Sequence, residues 1–143
     1  KKLLFSHSNY FIIDSNSKKV GKLKVPKNIC YDQLLKSCDI GLSTVMISRS
    51  VVKKNLFSSL KTKEDYLLWL KIIKSTKRFQ GIKKKLIYWR YLDTSLSSSN
   101  IQKIIDAFRL YNKHLNFNYF KTLLCVFRLS INSIIKKKIF IIE

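Results

Sequence analysis

SLKTKEDYLLWLKI, residues 59–72, places two of the chain's 8 carboxylates side by side, Glu64 and Asp65, at the head of an apolar run. The chain carries 29 Lys and Arg, so an adjacent acidic pair calls for an explanation. Tyr66, Trp69, Leu70 and Ile73 recur at three- and four-residue spacing, which predicts a helix beginning at the pair. Thr62, three residues before Asp65, approximates a capping box, and acidic side chains in a first turn interact favourably with the helix dipole. The same geometry has a chemical use. A carboxylate at a helix start beside a sheet edge can take the proton of a sugar hydroxyl as that hydroxyl attacks an electrophilic carbon. Trp69, one turn on, is then expected to offer an apolar face to a sugar ring.

On the N-terminal side, NYFIIDSNSKKVGKLKVP (residues 9–26) reads as a β-hairpin. Tyr10 to Ile13 form one strand, Asp14 to Ser17 supply turn chemistry, and Val20, Leu23 and Val25 return before Pro26. YDQLLKSCDI (31–40) predicts a short helix with Leu34 and Leu35 inward and Cys30 at its start. GLSTVMISRSVVKK (41–54) reads as a strand entering a helix. On the C-terminal side, KKLIYWRYL (84–92) has strand composition, with Ile87 and Trp89 on one face and Tyr88 and Arg90 on the other. Beyond it, Ile101, Ile104, Ile105, Phe108 and Tyr111 mark the stripe of a further helix, with Ser and Asn before it as caps. The fold class expected from this succession is mixed α/β.

Residues 116–143 are the most apolar part. On a helix Phe120, Leu123, Leu124, Phe127, Ile131, Ile134 and Ile135 share one side, and Lys121, Arg128, Asn132 and Lys136 another. The charged interruptions fall short of a membrane span. An amphipathic helix with a basic polar face suits the surface of an anionic membrane; the alternative is an ordinary helix packed on the domain.

With 143 residues and 46% hydrophobic composition, the chain is long and apolar enough to bury one core. The net charge of +21 points to polyanions, but five Arg and one Ala beside abundant Lys, Ile and Asn match a coding bias that fills surfaces with Lys. Cys30, Cys38 and Cys125 are odd in number and lack paired spacing, which argues against a disulfide framework or zinc site and for a reducing compartment. His7 and His114 stand in no ligand motif.

Three words in order, DQLLKSCDIGLSTVMISRS (32–50), LKTKEDYLLWLKI (60–72) and LIYWRYLDTSLSSS (86–99), resemble the second half of a bacterial family 2 glycosyltransferase. The type is the inverting, nucleotide-sugar-dependent one that builds surface polysaccharides and teichuronic-acid-like polymers. The resemblance covers most of residues 10–115 and implies a partial GT-A fold, a Rossmann-like α/β sandwich around a mostly parallel sheet. It implies residues 1–115 as the acceptor-side part of the domain, followed by the basic amphipathic helix that the patterning of 116–143 suggests. By the same resemblance Asp65 is the catalytic base, with Glu64 shaping the acceptor site beside it. Ser43, Thr44, Met46 and Arg49 line the donor and acceptor cleft, and Arg90 meets the sugar diphosphate. The implied partners are a nucleotide-sugar donor and a glycan or lipid-linked acceptor, with no specific nucleic acid. The implied location is the cytoplasmic face of the cell membrane, and the implied cofactor a divalent cation, Mg or Mn. No Asp-x-Asp and no Gly-rich phosphate loop occur in the chain. The nucleotide-binding half and the metal ligands are therefore expected outside it, leaving this piece inactive alone. The rival expectation is a basic, non-catalytic module that binds anionic membrane or nucleic acid.

Overall fold

The computed structural model describes residues 3–53, 56–92 and 99–140, the side chains of 137–140 excepted. Residues 93–98, within the third of the three words, and 141–143 lie outside the described residues. In chain order the elements are β1 (Phe5–Ile13), β2 (Lys19–Leu23), β3 (Asn28–Ile29), α1 (Tyr31–Lys36), a 3-10 turn (Leu42–Thr44), β4 (Met46–Ile47) and α2 (Arg49–Val52). These are followed by α3 (Glu64–Thr76), β5 (Phe79–Arg90), α4 (Asn100–Arg109) with a π-helical turn after it (Leu110–His114), and α5 (Tyr119–Phe140).

The sheet order is β2-β1-β5-β3, with β4 paired to the start of β1. Among the described residues only the central β1–β5 pair is parallel; the β1–β2, β1–β4 and β3–β5 pairs are antiparallel. The parallel pair needs a long crossover, and α1, α2 and α3 lie within it. The hairpin forms where the sequence places it, although its first strand begins five residues earlier, at Phe5. In its turn the Asp14 carboxylate accepts from the Asn16 and Lys18 amides, both at 2.9 Å, and Ser17 takes a left-handed φ of 65°. The β1–β5 register slips by two residues between Ser8 and Asn9. Asn9 repairs the ladder there: its Nδ2 donates to the Lys83 carbonyl at 2.6 Å, and its Oδ1 accepts from Val25 at 2.8 Å. Gly81 is required for another reason, because any Cβ there would collide with the Pro26 carbonyl.

The core is built around α3. Instead of one apolar stripe, Tyr66 to Leu70, Ile72 and Ile73 are all buried. Phe5 of β1 meets Trp69 edge-on at 5.1 Å on one side. On another, the Tyr66 hydroxyl donates to the Leu34 carbonyl of α1 at 2.7 Å and lies 3.1 Å from the Tyr111 hydroxyl. Tyr111 in turn donates to the Leu35 carbonyl at 2.8 Å, so two tyrosines bond carbonyls in the last turn of α1, where the Leu34 oxygen also accepts from the Ser37 amide.

The first of the two C-terminal helices differs from its expected orientation, and the second takes one of the two orientations left open. α4 buries Asp106 and Ala107, and the turn after it Leu110 and Tyr111; of the expected stripe Tyr111 is thus buried, while Ile101, Ile104 and Ile105 are exposed, Ile101 by 74%. α5 turns Thr122, Cys125 and Leu129 inward. Its Asn132 donates to the Lys36 carbonyl at 2.9 Å, and Lys136 forms an ion pair with Asp39 and donates to the Cys38 carbonyl. The apolar side of α5 faces out, with Phe120 81% and Phe127 64% exposed. The reason is geometric: the described body already closes its core over α3, and the free C-terminal end of α1 offers acceptors that match the polar side of α5.

Candidate active site

The Glu64–Asp65 pair sits in the first turn of α3, as the sequence predicts, but its anchoring differs from a capping box. The residue before the helix is Lys63, whose side chain makes no capping bond. Thr62 faces the other way. Its amide and hydroxyl donate to Asp106 Oδ2 at 2.9 and 3.0 Å, and Gln102 Nε2 donates to Oδ1 at 3.0 Å. Asp106 is fully buried, and these bonds outweigh the cost of burying it, so its carboxyl is held below the usual value. Asp106 thus ties α4 to the segment that aims α3. Sequence reading passed over it; the signal was an isolated acid four residues after Gln102 on a helix with no other carboxylate.

Asp65 is half-buried, and its Oδ1 accepts from the Tyr66 amide at 2.6 Å. Burial raises its pKa, the Tyr66 amide opposes that, and the adjacent Glu64 charge adds to the rise. Glu64 Oε2 is buried without a hydrogen-bond partner among the described residues. The pair therefore combines a carboxylate of raised basicity with a neighbour of the same sign.

A cleft of about 800 Å³ opens between the sheet and the two C-terminal helices; Lys63 lines it, and Glu64 and Asp65 do not. Tyr10, Ile12 and Leu23 come from the hairpin, Trp89 from the end of β5, Ile104 from α4, and Ile134 from α5. The cleft lies toward the C-terminal ends of the parallel β1 and β5, where α/β sheets characteristically receive ligands. Lys63 precedes Asp65 by two residues. Cys38 lines the cleft too, its thiol pushed up to about 12 by burial and by the Asp65 charge.

The other expected site residues fall in several places. Ser43, Met46 and Arg49 are exposed, whereas Thr44 is buried and donates its hydroxyl to the Gly41 carbonyl at 2.7 Å. Trp69 is 2% exposed within the core, so the expected open face for a sugar ring is absent. Its place in the Tyr66–Leu70–Ile73 stripe was the sequence signal for packing. Arg90 is tied to the hairpin turn, donating to the Asp14 and Ser15 carbonyls at 2.7 and 2.9 Å and to the Ser17 hydroxyl at 3.0 Å. β4 pairs with Phe5 and Ser6 while Arg90 pairs with Ile13, at the opposite end of β1. At ~3.3 Å per residue the two sit roughly 25 Å apart along the strand, so they do not share one subsite. Among the described residues no group of three or more His, Cys, Asp or Glu converges to hold a metal ion.

Comparison with known proteins agrees with the ordered words around Asp65. The chain is 35% identical over 119 residues to the Escherichia coli UDP-Glc:alpha-D-GlcNAc-diphosphoundecaprenol beta-1,3-glucosyltransferase WfgD, covering 83% of this chain and 39% of that protein. Its relatives are bacterial glycosyltransferases. A second E. coli enzyme of the same description, WfaP, is 31% identical over 136 residues, covering 95% of this chain and 53% of its own length. The putative teichuronic acid biosynthesis glycosyltransferase TuaG of Bacillus subtilis is 24% identical over 134 residues, with 93% and 53% covered. No protein-family model matches the chain. The chain spans between 39% and 53% of the length of the curated relatives it matches.

Proposed function

We propose that this chain is the acceptor-side part of an inverting glycosyltransferase that moves a sugar from a nucleotide-sugar donor to a lipid-linked acceptor in cell-surface polysaccharide synthesis. The observation that carries the reading is Asp65: a half-buried carboxylate of raised basicity in the first turn of a packed helix, its charge felt by Cys38, which with Lys63 lines an open cleft. Asp65 takes the proton of the acceptor hydroxyl. That oxygen attacks the anomeric carbon as the bond to the nucleoside diphosphate breaks, the electron pair leaves with the phosphate oxygen, and the anomeric configuration inverts. Glu64, adjacent and of like charge, keeps the Asp65 proton affinity high. A divalent cation that would neutralise the leaving diphosphate belongs to the proposal, but the described residues form no cluster to hold it.

The exposed side of α5 supports placing the reaction at the inner face of the cell membrane. Seven large apolar side chains from Phe120 to Ile135 are exposed, and leaving them in water forgoes on the order of 10 kcal/mol of burial. From Ala107 to Ile142 the chain contains no Asp or Glu, and seven Lys and Arg. Apolar area flanked by cations alone fits an anionic bilayer surface. Among the described residues no helix is long and apolar enough to cross a membrane, so the contact proposed is peripheral.

The test is nucleoside diphosphate release from a panel of nucleotide sugars by the full-length polypeptide, with and without a lipid diphosphate-linked sugar. Acceptor-dependent release with one donor is expected. Absence of release with every donor, in protein that is folded and bound to anionic vesicles, would refute the activity.

A further inference from the structure

The cleft offers a ligand very little charge. Lys63, Lys103 and Lys136 line it, and among the described residues no carboxylate does. Each of the three is already occupied. Lys136 is paired with Asp39, the Lys63 ammonium acts on the Asp65 carboxylate, and Lys103 has an interaction of its own within the chain. An anion entering here would lose its water and compete with those partners for every cation it met. The walls favour a different ligand. Ile12, Leu23 and Trp89 form the sheet side and Ile104, Leu129 and Ile134 the helix side, around a volume of about 800 Å³. A cleft of this size buries most of a ligand's surface, and these walls gain by covering hydrocarbon.

Two features say which hydrocarbon. Ile134 belongs both to the cleft wall and to the exposed apolar side of α5, so the apolar lining continues onto the surface that meets the bilayer in the proposed function. The same lining includes Lys63, two residues before Asp65. The cleft therefore reaches from the bilayer-facing side of α5 to the foot of the helix that carries the base. A chain that enters from the bilayer and ends there belongs to the molecule on which the base acts. An ordinary bilayer acyl chain would fill the cleft and bring Asp65 nothing.

We infer that the cleft between the sheet and helices α4 and α5 holds the hydrocarbon chain of the lipid-linked acceptor, and that it selects this chain without reading the charged head group. This deepens the proposed transferase reading and rests on it for the word acceptor, while hydrocarbon binding rests on the cleft alone. The chain leaves the bilayer past Ile134, lies between Trp89 and Ile104, and brings the sugar it carries toward Asp65. The head group and the sugar are then read by residues outside the cleft.

Trp89 supplies a local readout, because it is 39% exposed in the cleft whereas Trp69 is buried. Acrylamide quenching is measured on the full-length polypeptide and on its Trp89→Phe variant, and the difference reports the cleft. Farnesol, an isoprenoid alcohol without a charged head, is expected to protect Trp89. Geraniol, one isoprene unit shorter, should need about a tenfold higher concentration, because affinity follows buried hydrocarbon. Excess inorganic pyrophosphate and raised salt should leave the protection unchanged. Anionic phospholipid vesicles alone should leave Trp89 open to the quencher, and the same vesicles carrying farnesol should protect it. Ser133→Phe, which fills the cleft from an exposed position of α5, and Ile104→Asp, which sets a charge in its wall, should each weaken farnesol protection by about tenfold.

Protection by pyrophosphate, or protection that salt abolishes, would overturn the inference by showing that charge selects the ligand. Full protection by vesicles without farnesol would overturn it by giving the cleft to the bilayer's own acyl chains. Normal farnesol protection in both Ser133→Phe and Ile104→Asp would also overturn it. Farnesol protection without glycosyl transfer would sink the activity and leave the hydrocarbon site standing. Transfer with an unaltered acceptor KM in both variants would sink the site and leave the activity.

Discussion

His7 offers a quantitative test of the packing around β1. It is fully buried, its ring 6.5 Å from that of Phe5, and neither ring nitrogen has a hydrogen-bond partner among the described residues. Burial lowers its pKa from 6.5 to about 4, with the Asp39 charge opposing the shift. The native state therefore keeps His7 neutral over a range in which the unfolded chain protonates it. Stability is complete above pH 6.5, falls as pH drops below that value, and stops falling near pH 4, where both states take up the proton. At ~1.4 kcal/mol per pKa unit the full loss is about 3 kcal/mol. Carboxylates titrate at the lower end of the same window, so the assay is a difference: urea unfolding of the protein and of His7→Met at pH 7.5, 5.5 and 4.5. The variant is expected to gain on the parent by about 1.4 kcal/mol at pH 5.5 relative to pH 7.5, and by more at pH 4.5. A difference that stays flat with pH would show that His7 reaches water or a partner, refuting the buried, unpaired placement.

Four other outcomes follow from named contacts. Asp106→Ala removes the acceptor for Thr62 and Gln102 and is expected to cost about 2–4 kcal/mol in chemical denaturation, because three donors lose their partner. Gly81→Ala is expected to destabilise by about 1–3 kcal/mol, since the added carbon must displace the Pro26 backbone. Arg90→Lys breaks up three turn bonds on an exposed strand end and should lower stability by about 1 kcal/mol or less. A raised donor KM without loss of stability would instead assign Arg90 to the sugar diphosphate. In flotation with anionic vesicles, Phe120→Ser with Phe127→Ser should reduce bound protein several-fold while leaving the fold intact, because both side chains already face out.

Local chemistry was legible in the sequence; what each surface faces was not. The Asp14–Ser17 turn, the start of α3 and the opposite facing of Tyr88, stacked on Phe11, and Trp89, against Tyr10, are each specified by neighbours within a few residues, and each forms. The apolar stripes of α4 and α5 were equally legible as stripes. Periodicity says that seven side chains share a side of α5, but not that Asn132 and Lys136 on another side find the Lys36 and Cys38 carbonyls and Asp39. The α4 stripe was expected to pack inward, but Asp106 and Ala107 hold that side and Ile101, Ile104 and Ile105 face out. Trp69 shows the converse: its helical spacing declared a core residue, and a sugar platform was read onto it by its chemistry alone. Thr62 and Asp106 are 44 residues apart, so no local rule joins them. The same holds for Arg90 and the turn it closes.

The central claim is that Asp65 acts as the base, and its carboxyl provides an internal control. Its raised pKa means that ionisation costs stability above the ordinary carboxylate pKa, so Asp65→Asn is expected to be at least as stable as the parent at pH 7. That advantage should vanish in acid, once Asp65 is protonated in both native and unfolded states. Any loss of activity in this variant is then chemical and not a failure to fold. The decisive measurement is sugar transfer to a lipid diphosphate-linked acceptor by full-length Asp65→Asn, beside Glu64→Gln. The account predicts turnover lowered by about 10²–10⁴-fold in Asp65→Asn with acceptor binding retained, and a smaller loss in Glu64→Gln. Undiminished transfer by Asp65→Asn would contradict it.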